Sequence, residues 1–239
     1  MPKLVDLPVV DAHRLVGPVP FDDLPADPRP DMDRLGIEAA CVTHTLSLYA
    51  DPVAGNEALF ALGDPRLIPV PVVVPGVPGA GAPATLDEVL DWDVRIVRLC
   101  PERHRFELTG PVALRWLAAM AARDLTVAVD LEETSPAGLR TLAAELPDLR
   151  VLLLNPGYRR LRAVAELMEA VPNLWLEIGT VNTQRGVEWL AERYGADRLV
   201  FGTGAPVLDD CGPRFLLDHL ELGAAEVELI ASGALRRLM

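Results

Sequence analysis

Asp11 and His13 lie two residues apart in the apolar run VVDAHRLVG, 9–17. In an extended chain that spacing puts both side chains on one side. A histidine beside a carboxylate is a minimal pair for moving protons near neutral pH. Two more histidines follow Val/Ile/Leu-rich runs: His44 in VTHTLSLYAD and His104 in VRLCPERHRFEL, where Glu102 and Arg103 sit beside it. Other polar residues end other apolar runs: Asp130, Glu132 and Glu133 in AVDLEET, Asn155 in LLLNPG, Glu177 and Thr180, and Asp209 and Asp210 beyond FGTGAP. Arg98 stands inside a Val/Leu run, where a lone buried charge is too costly. It either clamps an anionic substrate group bidentately or pairs with Asp130 or Glu132 as a structural bridge; the sequence leaves both open.

We therefore expect His13, Asp11, His44 and Asp130 to be the acid–base group. Arg98, Glu102, His104, Glu132 and Asn155 are the expected substrate-binding group. A single histidine at such a place usually has a satisfied structural role. Three of the chain's four at the ends of apolar runs point instead to a polar pocket. The fourth, His219, falls in a helical pattern and reads as a surface or packing residue.

The elements that must position these groups alternate. Strand-like runs cover Pro8–His13, Ala39–Thr45, Leu67–Pro75, Val94–Cys100, Thr126–Leu131, Val151–Asn155, Leu174–Ile178 and Leu199–Gly202. They are nearly continuous in Val, Ile and Leu, as strands covered on both faces are. Helical patterns lie between them. GPVALRWLAAMAARD repeats its apolar residues at helix spacing. SPAGLRTLAAELPD opens with Ser135 as N-cap and Pro136 at the first helical position. Eight such units predict parallel strands with crossover helices, and in about 250 residues a (β/α)8 TIM barrel. A doubly wound sheet would normally use fewer strands. We expect one domain over 1–239, with the site at the C-terminal ends of the strands. The first crossover, with PVPFDDLPADPRP at 18–30, predicts a loop and a stunted helix. PGVPGAGAPA, 75–84, predicts a second irregular connection.

Composition narrows the partners. The chain has 239 residues, half of them hydrophobic, enough for a sizeable core. Its formal net charge of −13 argues against nucleic acid and anionic membrane, which need a basic face. Lys3 is the only lysine. Cys41, Cys100 and Cys211 are odd in number and far apart, so neither a disulfide framework nor a thiolate zinc site is expected. No leader pattern and no run of about 18 apolar residues occurs, so we expect a cytoplasmic protein off the membrane that binds a small molecule. Barrels faced with helices often pair, which leaves room for a homo-oligomer without placing an interface.

The chain resembles the amidohydrolase superfamily, in its amidohydrolase-related branch of TIM-barrel metal-dependent hydrolases. The likeness runs through VDAHRLVGP (10–18), MDRLGIEAACVTH (32–44), DPVAGNEAL (51–59), DPRLIPVPVVVPG (64–76) and VRIVRLCPERHRFEL (94–108). It continues in VPNLWLEIG (171–179), GADRLVFGTGAP (195–206) and IASGALRRLM (230–239). The resemblance implies one or two divalent metals that activate water. It places their ligands as His-x-His on strand one, a histidine each on strands five and six, and an aspartate ending strand eight. Here those places hold His13, Leu15, Asp130, Asn155 and Gly204. Leucine and glycine offer no side-chain donor, and catalytic zinc usually takes three protein ligands. We therefore expect no metal, with zinc as the fallback. Three functions remain: an enzyme that works without metal on a small substrate, carboxylated or not; a metal enzyme rebuilt on His13, His44, Asp130 and Glu132; and a non-catalytic binding relative.

Overall fold

The computed structural model describes residues 7–77 and 83–239. Residues 78–82 of the second irregular connection lie outside them. Among the described residues eight strands run in parallel: β1 (Val9–Val16), β2 (Ile37–His44), β3 (Leu67–Pro69), β4 (Ile96–Leu99), β5 (Thr126–Asp130), β6 (Arg150–Leu154), β7 (Leu174–Glu177) and β8 (Leu199–Val200). Their ladders form two runs, β1-β2-β3 and β4-β5-β6-β7-β8. Both seams are closed. Arg98 N–H donates to Pro71 O and Val73 N–H to Arg98 O, joining the segment after β3 to β4. Ala12 N–H donates to Phe201 O and Leu15 N–H to Ala205 O, joining β1 to the segment after β8. The result is the expected TIM barrel.

Eleven helices occur among the described residues: α1 (Arg29–Leu35), α2 (Thr45–Tyr49), α3 (Pro52–Phe60), α4 (Leu86–Asp91), α5 (Pro111–Ala121), α6 (Pro136–Glu145), α7 (Leu161–Ala170), α8 (Gly186–Tyr194), α9 (Cys211–Asp218), α10 (Ala224–Glu228) and α11 (Ala234–Arg236). Local chemistry starts several of them. Ser135 Oγ accepts the Gly138 N–H at α6, with Pro136 at the first position. Asp51 caps α3 and a Thr85–Glu88 capping box opens α4. The first helix is short, as the proline-rich crossover predicts. None of the helices is long and apolar enough to cross a membrane, among the described residues.

Two strands differ from their sequence patterns. β3 is only Leu67–Pro69, because Pro69 and Pro71 lack the N–H that a longer ladder needs. β1 runs past His13 to Val16, and its pairing with β2 slips between Asp11 and Arg14. Such a slip re-aims side chains locally, here around His13.

The core has two layers. Outside the strands, Trp116, Leu117, Met120, Leu139, Leu167, Leu190 and others bury the inner stripes of the helices. Inside, Val10, Cys41, Val70, Ile96, Ala128, Leu152 and Val200 fill the barrel, and Leu235 and Leu238 pack into the same cluster from the C-terminal segment. A smaller cluster of Leu15, Leu48, Val72 and Cys100 lines the opposite end. The polar site is built around that cluster.

Candidate active site at the barrel mouth

A cavity of about 210 Å³ opens at the C-terminal ends of the strands. His13, Leu15, Leu48, Tyr49, Arg98, Asp130, Glu132, Asn155, Gly204 and Leu208 are among the residues that line it. Of the residues expected at the site, the fold thus brings His13, Arg98, Asp130, Glu132 and Asn155 together.

The His13 ring is buried, and its Nδ1 lies 3.1 Å from Glu177 Oε2. Glu177 is fully enclosed at the end of β7. Its Oε2 also accepts the Asn155 N–H at 2.8 Å, and its Oε1 accepts the Gly179 N–H at 3.0 Å. In the neutral ring, an Nδ1–H donated to a Glu177 carboxylate leaves Nε2 with its lone pair. Asn155 adopts a left-handed backbone (φ 42°), which turns its N–H to the Glu177 oxygen.

Asp11 does not hold the imidazole. Its Oδ1 accepts the backbone N–H of His13 (2.9 Å) and of Thr203 (3.1 Å), and its Oδ2 accepts the Thr203 hydroxyl at 2.7 Å. It ties β1 to the segment after β8, beneath the mouth. Burial pushes its carboxyl up to about 6, although Arg14 beside it pulls the other way.

Arg98 Nη2 donates to Asp130 Oδ2 at 2.5 Å. Burial alone would raise the Asp130 carboxyl, but the Arg98 charge and hydrogen bond, with smaller pulls from His13 and Arg103, together outweigh it and hold Asp130 below its ordinary value. Arg103 covers the rim: its backbone N–H and Nε donate to Glu133, and its guanidinium lies 4.9 Å over the Tyr49 ring.

Besides Asp11, three expected residues stand outside the cavity lining. His44 caps α2, with Nδ1 accepting the Leu46 N–H at 3.1 Å, and it packs so closely on Gly17 that a Cβ there would lie 2.6 Å from its ring. His104 Nε2 donates to the Ser47 carbonyl at 3.0 Å. Burial lowers both histidines below their ordinary value. Glu102 is exposed outside the cavity wall. His219 stacks on Phe215 at the surface, 3.9 Å between ring centres. A more open groove of about 910 Å³ runs along α7 and α8 past Arg159, Arg162, Arg185 and Trp189, and it shares no residue with the mouth.

A model of the amidohydrolase family matches residues 11–238. The chain belongs to this family. No curated protein matches it in sequence. Among solved structures, an uncharacterized TIM-barrel protein from Bordetella bronchiseptica is 20% identical, with TM-score 0.72 over 97% of this chain and 98% of that one. The 5-carboxyvanillate decarboxylase of Sphingomonas paucimobilis is 13% identical, with TM-score 0.74 over 98% and 99%. A probable 2-pyrone-4,6-dicarboxylic acid hydrolase from Acinetobacter baumannii, with citric acid bound, is 14% identical, with TM-score 0.70 over 96% and 98%. At these identities the likeness shows the shared fold.

The metal that the amidohydrolase resemblance implies can be tested against the side chains present. Leu15 is hydrocarbon inside the apolar cluster of the mouth. Gly204 has φ +70°, and a Cβ there would lie 2.6 Å from Leu208 Cδ1, so Leu208 fills the space of any longer side chain. Asp130 is engaged by Arg98. Among the described residues, the only three His, Cys, Asp or Glu donors mutually within 4.8 Å are Asp209, Asp210 and Cys211, outside the cavity wall. Asp209 accepts the backbone N–H groups of Cys211 and Gly212, and Asp210 is bound by Arg14 and Arg34. The donor set at the mouth does not fit a tightly held divalent ion.

Proposed function

We propose that this protein is a lyase or hydrolase that uses acid–base chemistry without a resident metal on a small carboxylated substrate at the barrel mouth. The observation that carries the reading is the His13–Glu177 pair, 3.1 Å apart and enclosed, at a cavity that also holds an arginine. In this reading Nε2 of His13 takes and returns the proton. Glu177 fixes the ring's tautomer and orientation and steadies the imidazolium when it forms. Arg98 lies where it can offset negative charge on the substrate, and Asp130 positions Arg98. Asp11 braces the strand that carries His13. The names of the decarboxylase and dicarboxylic acid hydrolase among its structural neighbours support a carboxylated substrate. The three free cysteines suit the cytoplasm, where thiols stay reduced.

A second reading, a binding relative without catalysis, draws on the Arg98–Asp130 pair, which engages both charged groups before any ligand arrives. A rebuilt metal site on His13, His44, Asp130 and Glu132 would need His44 to leave its capping position. The test is His13→Gln, assayed against small aromatic and pyrone-type carboxylic acids. Turnover should vanish while circular dichroism keeps the native signature; unchanged turnover would remove His13 from the reaction. Binding without turnover in the native chain would favour the second reading.

A further inference from the structure

Arg98 projects from β4 into the mouth with 5% of its surface exposed. One nitrogen, Nη2, donates to Asp130. Nε and Nη1 are covered and meet no acceptor among the described residues. Each unmade hydrogen bond on a buried polar group costs ~1–3 kcal/mol, and more on a charged one. Donors left in that state call for a partner. Asp130, at the strand-five position where the family resemblance places a metal ligand, spends its carboxylate on this guanidinium. Leu15 and Leu208 close two further donor positions with hydrocarbon.

We infer that Arg98 supplies, as a permanent part of the chain, the positive charge that a metal ion would bring to this mouth, and that its Nη1, with the Nη2 hydrogen that Asp130 leaves free, receives one carboxylate of a small acid. The inference rests on the reading of a carboxylated substrate above, but binding, not turnover, decides it. A guanidinium is charged at every working pH and presents its N–H groups in a planar fork that matches a carboxylate. Unlike zinc, it coordinates no water and generates no hydroxide. It therefore suits chemistry in which an anion is held and steadied while His13 moves a proton. The apolar body of the acid would rest on Leu15, Leu48 and Leu208. Because Nη1 is covered, the carboxylate reaches it as the guanidinium turns about its bond to Asp130. Asp130 is thus a positioning residue that competes with the ligand for Arg98.

The experiment titrates the full-length, isotope-labelled protein with formate, using chloride at matched ionic strength as the control. Two signals are followed by NMR: the Arg98 Nε–H, assigned by its loss in Arg98→Lys, and the His13 ring protons. Formate should shift both saturably and chloride should not. Asp130→Asn removes the internal competitor and should tighten formate binding. Arg98→Lys keeps the charge but loses the fork and should weaken it about tenfold. Arg98→Met alone strands a buried carboxylate and risks unfolding. The double variant Arg98→Met/Asp130→Asn removes both charges, should fold, and should bind no formate. Formate shifts that persist in the double variant, equal shifts with chloride, or no saturable shift in the native chain would each overturn the assignment. So would one equivalent of zinc displacing formate from the native protein. Failed turnover with formate binding intact would sink the proposed reaction and leave Arg98 as the receptor.

Discussion

Glu177 Oε2 accepts hydrogen bonds from two groups, His13 Nδ1 at 3.1 Å and the Asn155 backbone N–H at 2.8 Å. One oxygen at the end of β7 therefore sets the histidine of β1 and the loop after β6. Glu177→Gln should break this arrangement, because an amide can turn its NH2 toward Nδ1 and favour the wrong tautomer. We expect kcat to fall about a hundredfold or more with KM little changed, on the scale of lost general acid–base catalysis. Steady-state kinetics on an identified substrate check it; an unchanged kcat would mean that Glu177 only braces the loop.

Gly204 offers a steric test of the missing ligand. Its φ of +70° disfavours any other residue, and Leu208 occupies the space a side chain would need. Gly204→Asp should destabilise the fold by ~3 kcal/mol, combining backbone strain with overpacking. Adding Leu208→Ala should not fully restore stability, because the backbone strain remains and a core side chain is shortened. Urea unfolding midpoints measure both. A Gly204→Asp variant as stable as the native chain would show that the mouth still has room for the family's aspartate.

His44 and His104 predict a pH dependence of stability. Burial holds both below the ordinary histidine value in the folded chain. Just below that value the unfolded chain binds more protons than the folded one, so stability rises with pH there. Their contribution is complete above about pH 6.5 and is lost as pH falls below it toward the lower folded-state values. In His44→Gln/His104→Gln the slope of unfolding free energy between about pH 5 and 7 should flatten. An unchanged slope would assign the acid sensitivity to other groups.

The barrel was legible in the sequence because its signal repeats: eight apolar runs, each followed by a helical pattern or a capping residue, leave few alternatives. That His13, Arg98 and Asp130 line the mouth is legible because polar groups in such runs cluster at one end of the cylinder. Two differences between pattern and structure have physical causes. Spacing pairs Asp11 with His13, but period-two spacing says only that two side chains share a face. The slip in pairing after Asp11 separates them, and the imidazole finds a carboxylate 164 residues away. His44 and His104 were grouped with the mouth because the end of a strand is also the start of the next connection. A polar residue there can cap a helix or tie a loop, as His44 and His104 do. No local pattern separates these uses. Glu177 was visible at its strand end, and nothing in LWLEIG marks it as the partner of a residue on β1.

The central claim is that the mouth of this amidohydrolase-family barrel moves protons with His13 and Glu177 and grips no divalent cation. Equilibrium dialysis of the purified chain against zinc and manganese, followed by elemental analysis, tests it most directly. We predict less than about a tenth of an equivalent retained, with no difference between the native chain and His13→Gln. One tightly held equivalent in the native chain, lost on replacing His13, would contradict the account.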